Sequence, residues 1–196
     1  MKKIILTFIA FLAILLNFTQ SAAQNDLENF YNKYCRLFLK GMQIKLNTFD
    51  KQNGYLSCCV LQDGDCIGAS ERYDMAMWVS KTGRKIFGVC GYGCGAGGCW
   101  CISLENLIFY DANLNEVTNE VLNMFELEML ASRTQVRDYQ GKVINLERSE
   151  AVYRIEIPRI GTTIKLVKGV PLLGEKHFAN LVYNISTGKF SIVPIN

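Results

Sequence analysis

Apolar residues change their spacing along the chain, and this pattern predicts one helix followed by a series of strands. Over residues 25–40 they recur every three or four positions, which is typical of an amphipathic helix packed on a core. Asn25 is a suitable N-cap and Gly41 a suitable terminator for this helix. From Met42 onward, apolar and polar residues alternate, which is typical of a strand with one buried face.

Turn residues divide the second part of the pattern into strands. Asn53-Gly54 is the pair that a type I′ hairpin turn favours, and it lies between apolar stretches at 42–46 and 55–61. We therefore expect one α+β domain, mainly β, whose N-terminal helix packs on an antiparallel β-meander sheet. A second helix is predicted at about 119–131, and further strands at 73–79, 85–89, 102–110, 153–157, 163–167, 181–185 and 190–193.

The first 23 residues carry the pattern of a secretory signal peptide. Lys2 and Lys3 precede 13 uncharged residues that are almost all apolar, and Ser21-Ala22-Ala23 is a suitable cleavage site. This apolar run is shorter than the about 20 residues that a membrane-spanning helix needs. We therefore expect export, a mature chain of residues 24–196 without a membrane span, and a secreted or periplasmic location.

Charge and length narrow the class of protein. The 196 residues carry a formal net charge of +3, and removal of Lys2 and Lys3 with the signal peptide brings this close to neutrality. No basic cluster remains that could follow a phosphate backbone, so nucleic acid is not an expected partner. The mature length suits a single domain with a core of ordinary size.

Eight cysteines after a signal peptide predict disulfides, because exported proteins meet an oxidising environment. Four of them, together with five glycines, lie within residues 90–101, which we interpret as a covalently braced loop between two strands. The disulfide candidates are Cys35, Cys58, Cys59, Cys66, Cys90, Cys94, Cys99 and Cys101.

The pairing of these cysteines is only partly readable, because eight cysteines allow 105 connectivities. Cys58 and Cys59 are neighbours on a predicted strand, so their side chains point to opposite faces and need different partners. Cys35 lies on the predicted helix, where a disulfide would connect the helix to the sheet.

Within residues 90–101 we expect Cys90 or Cys94 to reach Cys99 or Cys101. The same four thiolates could instead hold zinc. However, the spacing C-x3-C-x4-C-x-C lacks the two C-x2-C pairs of a typical zinc site, and export favours oxidation. We therefore expect disulfides and no metal.

Two further features of the sequence could suggest a cofactor or a catalytic site, but neither has the accompanying residues or elements that such a site needs. Residues 93–98 match G-x-G-x-x-G, but a strand is predicted after them, whereas a dinucleotide-binding loop must open a helix. His177 is the only histidine, and neither G-x-S-x-G nor H-E-x-x-H accompanies it. We therefore expect no cofactor and no histidine-based catalysis.

Carboxylates are the remaining route to an enzyme. A glycosidase needs only two of them, about 5 to 10 Å apart. A secreted hydrolase that uses such a pair is therefore the alternative function. The available carboxylates form no motif and are Asp63, Asp65, Glu71, Asp74, Glu116, Glu120, Glu126 and Glu128.

The braced loop favours binding over catalysis. Tyr92 and Trp100 are its large aromatic residues, and disulfides lower the ordering cost that opposes binding. The competing interpretation is that Trp100 packs over a neighbouring bridge as part of the core. We expect a non-catalytic binding or interaction module for a glycan or protein ligand, or a purely structural envelope protein if the loop is buried.

Four segments resemble small secreted proteins of unknown function from Gram-negative bacteria. The segments are residues 76–79 (AMWV), 85–89 (KIFGV), 107–110 (LIFY) and 157–164 (IPRIGTTI). The resemblance implies a secreted, mainly β domain, and it implies no catalytic residue. The cysteine-rich segment has no counterpart in it.

Overall fold

A computed structural model describes residues 25–61, 71–95, 98–146 and 151–195. The predicted signal peptide, Asp63, Asp65 and Cys66 lie outside this part of the chain. The described residues are mainly β and antiparallel, as predicted. No helix among them is long and apolar enough to cross a membrane.

Among the described residues, the first sheet contains six strands and begins as the predicted meander. Its order is β1-β2-β3-β4-β5, and β6 pairs with the first half of β4, next to the place where β5 pairs with the second half. The strands are β1 (Ile44–Asp50), β2 (Tyr55–Val60), β3 (Glu71–Val79), β4 (Lys85–Gly95), β5 (Gly98–Trp100) and β6 (Leu107–Tyr110).

The remaining strands form a second sheet, whereas the sequence predicted one. Its order is β10-β9-β8-β7, again a meander. Alternation of apolar residues shows which face of a strand is buried but not which strand lies beside it, so the division was not readable. The strands are β7 (Val152–Glu156), β8 (Thr163–Val170), β9 (Gly174–Asn184) and β10 (Lys189–Pro194).

Three α-helices accompany the sheets in the described part of the chain. The predicted N-terminal helix, α1, covers residues 25–38. The second predicted helix is divided into α2 (Thr118–Val121) and α3 (Met124–Arg133). The division occurs because Leu122 is extended and the Asn123 side chain caps α3, accepting a hydrogen bond from the Glu126 backbone N–H at 3.2 Å.

Helix α1 packs on one face of the first sheet, which confirms the predicted packing. The Phe30 ring lies parallel to the Phe87 ring of β4, with 4.3 Å between their centroids. Apolar residues from five elements complete this layer: Leu27, Tyr34, Leu56, Cys58, Met75, Val89 and Tyr110.

The opposite face of the first sheet packs against the second sheet and against α2 and α3. Aromatic rings lie at the centre of this larger core. The Phe190 ring of β10 lies 5.2 Å from the Trp78 ring and 4.7 Å from the Phe109 ring. The molecule therefore has three layers, with α1 outside and the first sheet in the middle.

The hairpin between β1 and β2 has a four-residue loop in place of the predicted two-residue turn. Asp50 pairs with Tyr55, which leaves residues 51–54 as the loop. The Asp50 carboxylate accepts hydrogen bonds from the Asn53 backbone N–H at 3.2 Å and from its side-chain amide at 2.9 Å. It also accepts one from Arg159 Nε at 2.7 Å, which connects this hairpin to the segment before β8.

These hydrogen bonds predict a loss of stability in acid. The Asn53 donors and the Arg159 guanidinium lower the pKa of Asp50 from 3.8 to about 2. Because the folded-state pKa is the lower one, the stabilisation is complete above about pH 4 and is lost as the pH falls toward 2. Urea unfolding should show Asp50→Asn less stable than wild type at neutral pH, with a difference that disappears toward pH 2. A pH-independent difference would contradict this role.

The segment before β6 is a turn where the sequence predicted a strand from residue 102. Residues Leu104–Asn106 form one turn of 3₁₀ helix. Ser103 caps the turn by accepting a hydrogen bond from the Glu105 N–H at 3.1 Å, while the Asn106 side chain accepts one from the Ser103 N–H at 3.1 Å. This turn places polar side chains beside the end of β4.

Candidate functional site

The described part of the predicted braced loop is mostly strand, since residues 90–95 belong to β4 and residues 98–100 to β5. Strand β4 continues to Gly95, and β5 pairs with its last three residues. Glycines alternate with larger residues along this part of β4, and period two places the two sets on opposite faces. Gly91, Gly93 and Gly95 lie on the α1 side, while Cys90, Tyr92 and Cys94 lie on the side of the second sheet.

The hairpin tip is closed by a disulfide between Cys94 and Cys99, which confirms one of the predicted pairings. These two residues also face each other in the β4–β5 ladder. Cys59 is disulfide-bonded as well. The other described cysteines are not disulfide-bonded in this structure, namely Cys35, Cys58, Cys90 and Cys101. The predicted disulfide from Cys35 of α1 to the sheet is therefore not present.

Tyr92 is a core residue, which corrects its assignment as a ligand contact. Its side chain is 5% exposed, and its hydroxyl donates a hydrogen bond to the Ile155 carbonyl of β7. Burial raises the pKa of this phenol far above its ordinary value, so it remains a neutral donor. The Arg72 guanidinium lies 6.0 Å from the ring centroid. Tyr92 therefore joins the two sheets and offers little surface to a ligand.

Trp100, the other predicted contact, is half-buried and lines a surface groove. The Arg154 guanidinium of β7 lies 5.4 Å from the ring centroid, in cation–π geometry. At Gly169 of β8, an added Cβ would lie 2.9 Å from the Gly174 carbonyl oxygen and 3.3 Å from the indole ring, so the indole packs closely on bare backbone. These contacts hold the indole against the second sheet while part of it faces the groove.

We call this feature the glycine groove, because its floor is the bare backbone of Gly91 and Gly93. It lies beside α1 on the outer face of the first sheet and has a volume of about 580 Å³. Strand β3 forms one wall, and the segment from β5 to the 3₁₀ turn forms the other. The side chains that line it include Tyr34, Glu71, Tyr73, Trp100, Ser103 and Glu105.

The floor is open only because β4 carries no side chains there. A Cβ at Gly93 would meet only the Trp100 carbonyl oxygen, at an ordinary distance of 3.9 Å. A Cβ at Gly91 would lie 3.1 Å from the Tyr73 ring, which leans over that position. Gly93 is paired with Glu71 on one side and with Trp100 on the other, so the floor strand has no free edge here.

The groove is acidic. Glu71 and Glu105 both line it, and the Tyr73 hydroxyl donates a hydrogen bond to Glu71 Oε2 at 2.7 Å. Burial and this carboxylate raise the pKa of Tyr73, so the hydroxyl stays protonated. Neither lysine nor arginine is found among the described residues that line the groove. This charge distribution favours a neutral or cationic ligand over an anionic one.

Beneath the hairpin, on the side of the second sheet, lies a buried ion pair. The Asp74 carboxylate accepts hydrogen bonds from Arg72 Nε at 2.9 Å and Nη2 at 3.0 Å. Asp74 is buried, whereas Arg72 is partly exposed. Asp74, one of the predicted candidate carboxylates, is therefore occupied by a structural partner.

A second cavity, of about 250 Å³, lies between α3 and β8 and is lined by a buried lysine. Lys168 Nζ donates hydrogen bonds to the carbonyls of Ala131 at 2.8 Å and Thr134 at 3.0 Å. Burial lowers the pKa of this ammonium. The Ala131 carbonyl also accepts a hydrogen bond from the Thr134 N–H at 3.2 Å, so the lysine adds a donor to carbonyls at the C-terminal end of α3, which is a structural role.

The remaining candidates lie away from the glycine groove. His177 is on β9, with Nε2 at 2.9 Å from Asn180 Oδ1. Residues 93–95 and 98 belong to strands β4 and β5, whereas a dinucleotide site needs its glycines to open a helix. In the described ranges, no three histidine, cysteine or acidic residues lie close enough to hold a metal ion. The described candidate carboxylates that do not line the groove are Asp74, Glu116, Glu120, Glu126 and Glu128.

Four of the named side chains that line the groove were not predicted as site residues, namely Tyr34, Tyr73, Ser103 and Glu105. Tyr34 and Tyr73 were interpreted only as members of a helix stripe and a strand. The available signal was the period-two spacing of Gly91 and Gly93 directly after a strand, which predicts a bare strip on one face of a sheet.

The chain matches no protein-family model, no curated protein and no solved structure. Fold and site therefore define it as a two-sheet, mainly β protein with an outer helix and an acidic, aromatic-lined groove. The resemblance to small secreted bacterial proteins stays a prediction. The groove is therefore the feature on which a function can be proposed.

Proposed function

We propose that this chain is an exported, non-catalytic binding module whose glycine groove holds a neutral segment of a glycan. The observation that carries the proposal is the bare floor of Gly91 and Gly93 between aromatic walls that include Tyr73 and Trp100. Export, to a secreted or periplasmic location, rests on the sequence pattern of residues 1–23.

The groove chemistry suits a sugar chain. A sugar ring presents polarised C–H groups, which are attracted to the negative face of an aromatic ring. Its hydroxyls are donors for the Glu71 and Glu105 carboxylates, and such charge-assisted hydrogen bonds are stronger than neutral ones. The bare floor allows a flat ring to approach the backbone closely.

Other ligand classes fit the groove less well. An extended peptide usually binds by adding a strand to a free sheet edge, and the floor strand is paired on both sides. An anionic chain would place its charges near Glu71 and Glu105 without a basic partner among the described lining residues. A neutral glycan meets neither obstacle.

The groove is held in place before a ligand arrives. The Cys94–Cys99 disulfide closes the hairpin, the Ser103 cap fixes the 3₁₀ turn, and Arg154 holds the indole of Trp100. Little side-chain entropy then remains to be lost on binding. This rigidity is the physical basis for a binding role.

Filling the groove floor tests the proposal. We expect Gly93→Val to lower affinity for a neutral oligosaccharide at least about tenfold, because the new side chain would occupy the space above the floor. Cellohexaose and chitohexaose are suitable neutral probes, and oligogalacturonate is the anionic one. Isothermal titration calorimetry measures binding, and quenching of the half-buried Trp100, as opposed to the buried Trp78, locates it.

Gly95→Val is the matched control. Gly95 lies two residues further along the same face of β4, outside the groove lining, and a Cβ there would meet nothing within 4 Å. This variant should bind as wild type does. Equal affinity of Gly93→Val and wild type for the neutral probe would contradict the assignment of the site, and so would binding of the anionic probe alone.

The hydrolase alternative keeps one observation in its favour, since Glu71 and Glu105 line the same groove. A carboxylate-pair hydrolase would cleave a bound oligosaccharide, and Glu71→Gln or Glu105→Gln would abolish cleavage. For a binding module we expect no shortened products after prolonged incubation, by mass spectrometry. The structural envelope protein would show neither binding nor cleavage.

A further inference from the structure

Two buried thiols lie next to each other at the base of the hairpin. Cys90 and Cys101 are almost fully buried, and their Sγ atoms are 3.5 Å apart. This distance is typical of contacting thiols and is longer than the S–S bond of about 2.05 Å. The closest neighbouring pair along the hairpin, Cys94 and Cys99, is already a disulfide.

The main chain holds both cysteines in place. Cys90 lies within β4, paired with Asp74 on one side and with Leu107 on the other. Cys101 exchanges two hydrogen bonds with Tyr153, at 2.6 and 2.7 Å. The sulfurs therefore need only a side-chain adjustment of about 1.5 Å to form a bond.

Neither a hydrogen bond nor a bound metal accounts well for the contact between these two thiols. The two sulfurs are close enough for an S–H···S hydrogen bond, and the Cys101 Sγ can also donate to the Gly91 carbonyl at 3.4 Å, but sulfur is both a weak donor and a weak acceptor. A metal would need further ligands, and no group of three candidate ligands occurs in the described part of the chain. The distance between the two sulfurs instead favours a covalent bond between them.

We infer that Cys90 and Cys101 form a second disulfide, whose loop along the chain encloses the Cys94–Cys99 bond. The thiolate of one cysteine attacks a sulfur of an exported disulfide donor, which gives a mixed disulfide and releases one donor thiol. The second cysteine thiolate then displaces the other donor sulfur. Two protein thiols are oxidised, one donor disulfide is reduced to two thiols, and the two protons of the protein thiols pass to the donor sulfurs.

The bond would form before the core closes. Burial raises the pKa of the Cys90 thiol in the folded protein, and a buried thiol is also out of reach of a donor. Once made, the bond connects Cys90, which precedes the groove floor, to Cys101, which lies in the wall between β5 and the 3₁₀ turn. The inference concerns this covalent bond and does not depend on the proposed ligand.

Peptide mapping tests the bond directly. The full chain is exported to an oxidising compartment, denatured with an alkylating reagent and digested without reduction. Chymotrypsin cuts after Phe87, Tyr92, Trp100 and Leu104, which separates the four cysteines into residues 88–92, 93–100 and 101–104. We expect residues 88–92 linked to residues 101–104, with residues 93–100 internally bonded.

Every other result overturns the inference. Alkylated Cys90 and Cys101 would show a stable thiol pair, and linkage of residues 93–100 to either flanking peptide would show a different connectivity. As a second measurement, Cys90→Ala should leave one new alkylated site at Cys101. Cys90→Ala, Cys101→Ala and the double variant should then share one urea midpoint, because each loses the same bond. Additive losses would contradict a shared bond.

Discussion

Phe30→Ala should lower the free energy of unfolding by about 3–5 kcal/mol, which is typical of emptying a large buried aromatic site. Phe30 is the residue of α1 that lies most directly on the sheet. Its ring is parallel to Phe87, with 2° between their planes, and contacts Tyr34 and Tyr110 at centroid distances of 6.0 Å. Alanine would leave a cavity between the helix and the sheet that neither rigid layer can close.

Urea unfolding followed by far-ultraviolet circular dichroism would measure this loss, with Leu37→Ala as the control. Leu37 lies on the same helix but is 65% exposed, so its truncation should cost less than about 0.5 kcal/mol. Similar costs for the two variants would mean that α1 is not held to the sheet through Phe30.

Arg72→Met should lower the free energy of unfolding by about 3 kcal/mol, because it removes the cation that pairs with the buried Asp74 carboxylate. Asp74 is 6% exposed and accepts two hydrogen bonds from Arg72, and its other close partner, the Tyr55 hydroxyl, carries no charge. The value lies at the low end of the range for buried pairs, since Arg72 is partly exposed and water can reach that side.

The reason for the loss is tested by removing the charge. Asp74→Asn in the Arg72→Met background should restore part of the stability, because a neutral amide costs less to bury than a lone carboxylate. Arg84→Met is the control, since its pair with Glu120 is exposed and should contribute less than about 1 kcal/mol. A double variant less stable than Arg72→Met alone would contradict a loss caused by the lone charge.

The fold could be predicted where the signal is local. Alternation and turn residues located most strands of both meanders, and the helical stripe of residues 25–38 indicated the face that packs on the sheet. The division into two sheets could not be predicted, because it depends on which strands meet after a connection of about forty residues.

The candidate site shows the same limit. Trp100 and Tyr92 have similar chemistry and both lie in the cysteine-rich segment, yet only Trp100 lines the open groove substantially. The difference is the face of the hairpin: Tyr92 points to the second sheet, whose position the sequence does not indicate. Gly91 and Gly93 shape the groove through the side chains that they lack, whereas sequence motifs reveal only groups that are present.

The hydrogen bonds between Cys101 and Tyr153 also bear on how copies of this protein meet. They connect the β5 side of the first sheet to the β7 edge of the second, so neither edge is open there to a strand from another molecule. Of the four strands that end the two sheet orders in the described part of the chain, β5 and β7 lie at this connection, and the other two are β1 and β10. A bulge between Leu46 and Thr48 interrupts β1, and Pro194 ends β10, so both are poor templates for aggregation.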